Sequence, residues 1–358
     1  MQKKVGVITF HDYDNYGALL QSYALQNCLK DLGANPEIID YACDYIRKPF
    51  ALKRLKNKGV FNYIYGVIGY ICYLPRAKKF NAFRKRISYS EHVTKETIDR
   101  MDGKYDVYIA GSDQIWDYHL TNFDKAYFLN FVTKGKKCSY AASIGEHLPS
   151  TQYQQEYTRL LQGFDHILMR ESYGADVVNQ LIGEKPDCSC DPTLLLTAKQ
   201  WEPLMAKSKK KKDYILVYQL GVNPSFVNFV KRLKKQTGLP VVYVPFPLVG
   251  FMSCNISLAP APEEWLRLFH DAKYVVTDSF HGAVFSILFH KPFFVKVDGH
   301  HVNKRVEELL TRLNMTDRII RDDLESDAIT AQVDYTYADK QLEIFRSESM
   351  ERLSQLLD

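Results

Sequence analysis

The stretch Tyr274-Val-Val-Thr-Asp-Ser-Phe-His-Gly-Ala-Val-Phe-Ser-Ile-Leu-Phe289 decides the fold of this chain. Its first four residues are apolar and largely β-branched, which is typical of a strand buried inside a parallel sheet. A polar turn follows at 278–282, and the apolar run after it is long enough for a buried helix. Unpaired N–H groups and the dipole at the start of such a helix favour an anion. The stretch therefore predicts an α/β fold with an anion site where this strand ends.

Two interpretations of the turn fit its residues. In the first, His281 donates or accepts a proton beside a bound anion, and Gly282 lets that ligand approach the backbone. In the second, Ser279 or Asp278 only caps the helix and His281 packs in the core. The sequence alone leaves both open.

The rest of the chain alternates strands with helices, which predicts parallel, doubly wound sheets. The expected strands lie at 4–10, 36–41, 105–110, 137–143, 164–169, 214–218, 240–244 and 292–297, and further helices at 18–33, 224–237 and 262–272. A Lys-rich stretch at 207–213 is typical of a linker or an exposed hairpin. We therefore predict two α/β lobes, 1–203 and 204–358, with a cleft between their strand ends. The charged final segment, 338–358, is expected to be helical and to pack back on the first lobe.

Two polar clusters follow strands of the first lobe, where ligands of parallel sheets bind. Asn15-Tyr16-Gly17 precedes the first helix and offers backbone amides, or it is simply a loop that needs a flexible glycine. Ser112 and Asp113 present a hydroxyl and a carboxylate, which suit the hydroxyls of a sugar. The alternative is that they are ordinary turn and cap residues.

Arg170 stands at another predicted strand end. A guanidinium in that place matches the oxygens of a carboxylate or phosphate in a bidentate manner. The alternative is a structural ion pair with the neighbouring Glu171 or with another acid. Arg305 is a weaker candidate anion-binding residue of the same kind.

The net charge of +5 conceals a strongly basic segment. Residues 45–90 hold twelve Lys or Arg and no Asp or Glu, so the remainder of the chain carries about −7. The aromatic centre of the segment, 60–74, is shorter than the ~20 residues that a membrane-spanning helix needs. Basic flanks around such a centre favour contact with an anionic membrane surface, while an ordinary buried helix with solvated basic ends is the alternative. No nucleic-acid-binding motif accompanies the segment, so we do not expect a nucleic-acid partner.

Composition favours a cytoplasmic protein without a metal or other cofactor. The seven cysteines are scattered, and the N-terminus runs into a predicted strand rather than a signal sequence. Cys188-Ser189-Cys190 is too tight and isolated for a zinc site. Dinucleotide-binding, phosphate-loop, nucleophile-elbow and Asp-x-Asp motifs are absent from the sequence.

Taken together, the motifs resemble the polysaccharide pyruvyl transferase family, in family order over about 4–320. The matching stretches are 15–21, 111–116, 143–145, 170–171, 191–193 and 277–282. The resemblance implies two Rossmann-like lobes of the GT-B type. It also implies transfer of the enolpyruvyl group of phosphoenolpyruvate to two hydroxyls of one sugar, which gives a cyclic pyruvate ketal and phosphate.

By the same resemblance, the donor would be held by Arg170 and by the loop Ser279-Phe280-His281. Some relatives carry a second basic residue where this chain has Ser279, which leaves Arg305 or Lys296 to supply that charge. His281 would then protonate the methylene carbon of the donor or the departing phosphate. The reaction itself needs no metal.

The expected acceptor is a glycan precursor of the cell envelope, of a capsule or of an exopolysaccharide. A lipid-linked acceptor at the inner face of the cytoplasmic membrane would give the basic segment a purpose. Three alternatives stay open: a GT-B glycosyltransferase that uses a nucleotide sugar, a non-catalytic glycan-binding protein, and a family member that transfers another small group.

Overall fold

The chain forms two compact α/β units in the computed structural model. The model describes residues 2–43, 45–46, 74–145, 148–208, 213–221, 223–245, 255–256, 260–297, 303–321 and 332–358. Unit 1 consists of Met1–Leu196 and Phe345–Asp358, and unit 2 of Thr197–Ile344.

Unit 1 is built on a parallel sheet whose strand order is β3-β2-β1-β4-β5. The strands are β1 Lys4–Ile8, β2 Asn35–Tyr41, β3 Tyr89–Val93, β4 Val107–Ala110 and β5 Lys136–Ser139. A second, two-stranded sheet contains β6 Leu168–Met169 and β7 Asp187–Cys188. The chain moves outward from β1 to β3 and then continues on the other side of β1. The switch point between β1 and β4 is where a doubly wound sheet offers a ligand site.

Unit 2 repeats this plan with the strand order β10-β9-β8-β11-β12. Its strands are β8 Ile215–Gln219, β9 Val241–Pro245, β10 Asn255–Ile256, β11 Tyr274–Thr277 and β12 Phe293–Val295. The pairs β9–β10, β8–β9, β8–β11 and β11–β12 are parallel. Here the switch point lies between β8 and β11, so the stretch that decides the fold stands at the expected ligand-binding edge.

Helices cover the sheets of both units. They are α1 Tyr16–Asp31, α2 74–84, α3 Thr151–Leu161, α4 Ser172–Ile182, α5 Pro224–Thr237, α6 Pro262–Asp271, α7 Phe280–Leu288, α8 Asn303–Arg312 and α9 Thr336–Gln355. All nine residues of α7 are buried, as its continuous apolar sequence predicts. The predicted fold class, two Rossmann-like α/β units, is therefore confirmed.

The division between the units differs from the predicted one, which placed the boundary after residue 203. Thr197 begins a one-turn helix with a capping box that Gln200 completes. Trp201, at the end of that turn, packs edge-on against Phe285 of α7, with ring centroids 5.2 Å apart. This aromatic contact places 197–203 in unit 2.

The end of the chain was predicted as part of the second lobe, 204–358, with its final helix packing back on the first lobe. Residues from Phe345 onward belong to unit 1. There the Arg346 side chain donates a hydrogen bond to the Leu194 carbonyl, and the hydroxyl of Ser349 accepts one from the Cys190 amide. The last turns of α9 are thus built into the first unit.

The apolar centre of the basic segment lies almost wholly outside the described residues, as do residues 209–212 of the predicted linker. Among the residues that the structure describes, no helix is both long and apolar enough to cross a membrane. Contact of the basic segment with a membrane surface stays a prediction.

Ser349 offers a direct test of how α9 packs. We expect Ser349→Ala to lower the free energy of unfolding by about 1–3 kcal/mol, because the buried Cys190 amide loses its partner. Ser347→Ala, at an exposed position of the same helix, is the matched control and should change stability by less than about 0.5 kcal/mol. Chemical denaturation of the two variants measures the difference. Equal stability would show that α9 does not pack as described.

Candidate functional site

The turn after β11 is held by short polar contacts. The hydroxyl of Thr277 donates to the Tyr218 carbonyl at 2.8 Å and accepts from the Ser279 amide at 3.0 Å. Ser279 is the N-cap of α7, and its hydroxyl accepts from the Gly282 amide at 3.3 Å. Ser279 therefore caps the helix, as one of the two interpretations of the sequence held.

Gly282 has a packing role that the sequence reading did not foresee. A Cβ atom at this position would lie 2.3 Å from the Thr277 hydroxyl oxygen and 3.0 Å from the Thr277 Cβ. The absence of a side chain lets α7 start close against β11. Approach of a ligand to the Gly282 backbone stays a prediction.

Asp278 joins the turn to the neighbouring loop. Its carboxylate accepts hydrogen bonds from the amides of Leu220 and Gly221, at 2.6 and 2.8 Å. These two residues follow β8, on the other side of the switch point. The loops on both sides of the expected ligand position are thereby fixed to each other.

Two cationic or basic side chains lie against Phe280 at the start of α7. The imidazole of His281 meets the Phe280 ring edge-on, with centroids 5.2 Å apart. The Arg305 guanidinium, from α8, lies 5.6 Å from the centre of the same ring. Only 8% of His281 and 7% of Arg305 is exposed. The structure thus brings together all the predicted residues of this unit: Ser279, Phe280, His281, Gly282 and Arg305.

Lys296 stands at the end of the adjacent strand. Its amide donates to the Thr277 carbonyl at 2.9 Å, and its side chain is half-buried. At the start of α7, the Arg305 guanidinium and the positive end of the helix dipole bring positive charge together. An anion is the ligand that such an arrangement favours.

Arg170 lies in unit 1, at the end of β6, among three carboxylates. Its side chain is 3% exposed, and its nitrogens lie 2.9 Å from Asp191, 3.4 Å from Glu171 and 3.6 Å from Asp113. Burial alone lowers the pKa of this guanidinium, but the three acids outweigh burial and raise it above its ordinary value. Arg170 pairs with acids, as the alternative interpretation held.

The acids around Arg170 carry further hydrogen bonds. Asp191 accepts from the amide and the hydroxyl of Thr193, and the Ser112 hydroxyl lies 3.5 Å from its other oxygen. The Ser143 hydroxyl donates to Glu171. Three carboxylates surround this guanidinium among the described residues, and carboxylates accept hydrogen bonds from the hydroxyls of a sugar. Asp113, whose side chain is 14% exposed, is its most accessible acid.

The loop before α1 lies at the switch point of unit 1. Asn15 caps α1 by accepting a hydrogen bond from the Ala18 amide at 3.2 Å, and Gly17 is buried in the first turn. The Thr9 hydroxyl donates to the Ser112 carbonyl at 2.8 Å, which ties the loop after β1 to the loop after β4. The predicted residues of unit 1 therefore fall on loops beside the switch point.

Sequence reasoning missed two arginines of α2 that fix this loop. Arg76 is 8% exposed, donates to the Asp14 carbonyl at 2.9 Å and lies over the Tyr16 ring. Arg84 lies 2.7 Å from the Asp14 carboxylate and donates to the His11 carbonyl. In the alternative interpretation of the segment 45–90 they belong to its solvated basic ends. His11, Asp14 and Tyr16 lie 60 or more positions away, so the local sequence gave no signal for these contacts.

Within the described ranges, no group of three or more His, Cys, Asp or Glu side chains is arranged to hold a metal ion.

Comparison with known proteins adds a family and a fold. The family model described as polysaccharide pyruvyl transferase matches residues 15–297. No protein of curated function is similar to the chain at a significant level.

Solved structures share the fold at low sequence identity. UDP-N-acetylglucosamine 2-epimerase from Rickettsia bellii has a TM-score of 0.51 and 12% identity, over 100% of this chain and 96% of the other. The MnaA–UDP structure from S. aureus has a TM-score of 0.53 and 11% identity, over 99% and 91%. The UDP-GlcNAc 2-epimerase from Methanocaldococcus jannaschii has a TM-score of 0.51 and 11% identity, over 100% and 99%. At such identities the likeness shows the fold alone, which is of the GT-B type.

Replacement of Gly282 tests how closely α7 packs on β11. We expect Gly282→Ala to destabilise the protein by about 1–3 kcal/mol, since the new methyl group overlaps the buried Thr277 side chain. Gly174→Ala is the control: there the nearest atom is the flexible end of Met169, and alanine favours a helix. Thermal unfolding of both variants gives the comparison. A Gly282→Ala protein as stable as the control would contradict the packing described.

Replacement of Arg170 tests the charge balance of the network in unit 1. We expect Arg170→Ala to cost about 3–5 kcal/mol, because three acids lose their counter-charge. Arg159→Ala removes an exposed arginine that pairs with Glu156, and should cost less than about 1 kcal/mol. Denaturant titration of the purified variants measures both. Similar losses in the two would mean that the buried network contributes little to stability.

Proposed function

The chain belongs to the polysaccharide pyruvyl transferase family, and on this premise we propose that it transfers the enolpyruvyl group of phosphoenolpyruvate to a sugar. The group would form a cyclic ketal with two hydroxyls of one sugar in a cell-envelope, capsular or exopolysaccharide precursor. The observation that carries the proposal is the cluster at the start of α7, where His281 and Arg305 contact the same phenyl ring.

The donor fits the charge of this cluster. Phosphoenolpyruvate carries a carboxylate and a phosphate, and the start of α7 combines a helix dipole with the guanidinium of Arg305. We propose that Lys296, which follows β12, supplies a second positive charge. In this proposal Arg305 and Lys296 provide the charge that some relatives carry at the position of Ser279.

The reaction requires a proton at the methylene carbon of the donor. As that carbon is protonated, positive charge develops at C2 and the first sugar hydroxyl bonds to it, losing its own proton. The C2–O bond to phosphate then breaks, and the second hydroxyl closes the ring with loss of its proton. We assign the first proton to His281, which stands beside the proposed anion position.

The acceptor fits the network in unit 1. Asp113 and Ser112 offer acceptors and donors for sugar hydroxyls, and Arg170 holds the acids in place. In this proposal Arg170 is a positioning residue; its expected role as a clamp on the donor stays a prediction. We further propose a lipid-linked acceptor at the inner face of the cytoplasmic membrane, bound with help from the basic segment.

The experiment is to incubate the protein with phosphoenolpyruvate and p-nitrophenyl glycosides of galactose, glucose and N-acetylmannosamine. Phosphate release together with the mass gain of a ketal on one glycoside is the expected result. His281→Ala should lower the rate by about 10²–10⁴-fold, the usual contribution of a positioned general acid.

His270→Ala is the matched control, because His270 is a partly exposed histidine of α6 that pairs with Asp271. It should leave the rate unchanged. Near wild-type turnover by His281→Ala would refute the catalytic role. Glycosyl transfer from a nucleotide sugar, with no phosphate released from phosphoenolpyruvate, would favour a GT-B glycosyltransferase instead.

A further inference from the structure

A second polar cluster of unit 1 lies beside the switch point and was not singled out by the sequence. We call it the His11 cluster; its members are His11, Asp12, Asp40, Arg84 and Tyr89. His11 follows β1, Asp40 lies near the end of β2 and Tyr89 begins β3. The His11 and Tyr89 rings contact each other, with centroids 5.3 Å apart.

Three polar atoms of this cluster are buried without a hydrogen bond among the described residues, and one of them, Nη2 of Arg84, forms an ion pair with Asp14 at 2.7 Å. The other two are Nε2 of His11, a side chain that is 3% exposed, and the Tyr89 hydroxyl. An Asp40 carboxylate oxygen lies 3.8 Å from Nε2, beyond hydrogen-bond distance. Each such atom costs about 1–3 kcal/mol when it stays unsatisfied. Native proteins seldom keep two together unless a ligand or a water molecule satisfies them.

The protonation states of the two rings define which ligand suits them. Burial lowers the pKa of His11, although Asp40 and Asp12 oppose this, so the neutral imidazole is favoured. Burial likewise raises the pKa of Tyr89, so its hydroxyl keeps its proton. The pair therefore presents a hydrogen-bond donor and a ring nitrogen of a neutral imidazole. An alcohol, which both donates and accepts, complements them.

Two acids border the cluster. Asp12 is exposed, and 32% of the Asp40 side chain is exposed. One Asp40 oxygen lies 3.1 Å from Nδ1 of the exposed His92. Carboxylates are strong acceptors for hydroxyl groups but repel anions. Arg84 is committed to the Asp14 carboxylate and the His11 carbonyl, so it fixes the loop in place. A neutral polyol suits this arrangement; phosphoenolpyruvate does not.

We propose that the His11 cluster is a subsite for the hydroxyls of a neutral sugar. One hydroxyl lies between Asp12 and Asp40 and bonds to Nε2 of His11 and to the Tyr89 hydroxyl. In the reaction proposed above this sugar is part of the acceptor, so that identification rests on the proposed function. The loop that carries His11 runs on directly to Asn15 and Gly17, at the edge where doubly wound sheets bind ligands.

Tyr89→Phe is the test, because it removes a single oxygen that has no partner among the described residues. A purely structural Tyr89 predicts equal or slightly higher stability and unchanged sugar binding. The proposal predicts unchanged stability but a five- to tenfold higher Kd for a bound glycoside, about the value of one neutral hydrogen bond. The probes are the p-nitrophenyl glycosides of galactose, glucose and N-acetylmannosamine, and calorimetric titration of the full chain gives the Kd.

Two further variants make the comparison specific. Tyr105→Phe removes a hydroxyl that donates to Glu37 at 2.8 Å in the same unit, and it should leave Kd unchanged. His11→Asn should weaken glycoside binding at least as much as Tyr89→Phe. Unfolding curves of all three variants show whether each protein is folded.

The outcomes separate this inference from the proposed function. Weaker glycoside binding by Tyr89→Phe supports the subsite even if phosphoenolpyruvate releases no phosphate, a result that would refute the pyruvyl transfer alone. Wild-type Kd values in both Tyr89→Phe and His11→Asn would overturn the subsite and leave the transfer reaction standing, with water on the two buried atoms. Failure of the wild-type protein to bind any of the three glycosides would overturn it as well.

Discussion

The close contact between Thr277 and Gly282 is the constraint on which the candidate donor site depends. It lets α7 begin directly after β11, so that the helix terminus and His281 stand at the switch point of the second sheet. Thr277 serves three purposes there: it bonds to the neighbouring strand, it receives the Ser279 amide, and it fills the space that a side chain at 282 would need. The hydrogen bonds of this turn therefore depend on the tight packing of Gly282 against Thr277.

The two units offer opposite electrostatic environments at equivalent edges of similar sheets. The start of α7 in unit 2 combines a helix dipole with Arg305, which favours an anion. In unit 1, three acids surround Arg170 among the described residues. Two more acids, Asp12 and Asp40, belong to the His11 cluster. Such surroundings favour neutral hydroxyls. In the proposed function, the anionic donor takes the first of these environments and the sugar the second.

Local patterns were enough to predict the elements and most of the candidate residues. The predicted bounds of β11 and α5, 274–277 and 224–237, agree with the structure, because apolar periodicity and flanking Pro or Gly residues mark them. The residues around α7 that were expected to act together do lie together. Asp113 and Arg170, more than 50 positions apart, also meet, since both follow strands that end at one edge.

The contacts that could not be predicted from the sequence join residues that lie far apart along the chain. The acids around Arg170 come from three different loops, the burial of Arg76 depends on Asp14, and the His11 cluster is assembled by three strands. Gly282 was noticed in the sequence, but its role was ambiguous. A glycine after a polar turn is compatible with the approach of a ligand and with tight packing, and the sequence does not show the contact with Thr277.

A crystal structure of the protein with phosphoenolpyruvate would show whether the start of α7 binds the donor. We expect the ligand's phosphate or carboxylate oxygens within hydrogen-bond distance of the His281 imidazole and the Arg305 guanidinium. Phosphoenolpyruvate bound elsewhere, with both of these side chains in contact only with protein, would contradict this expectation.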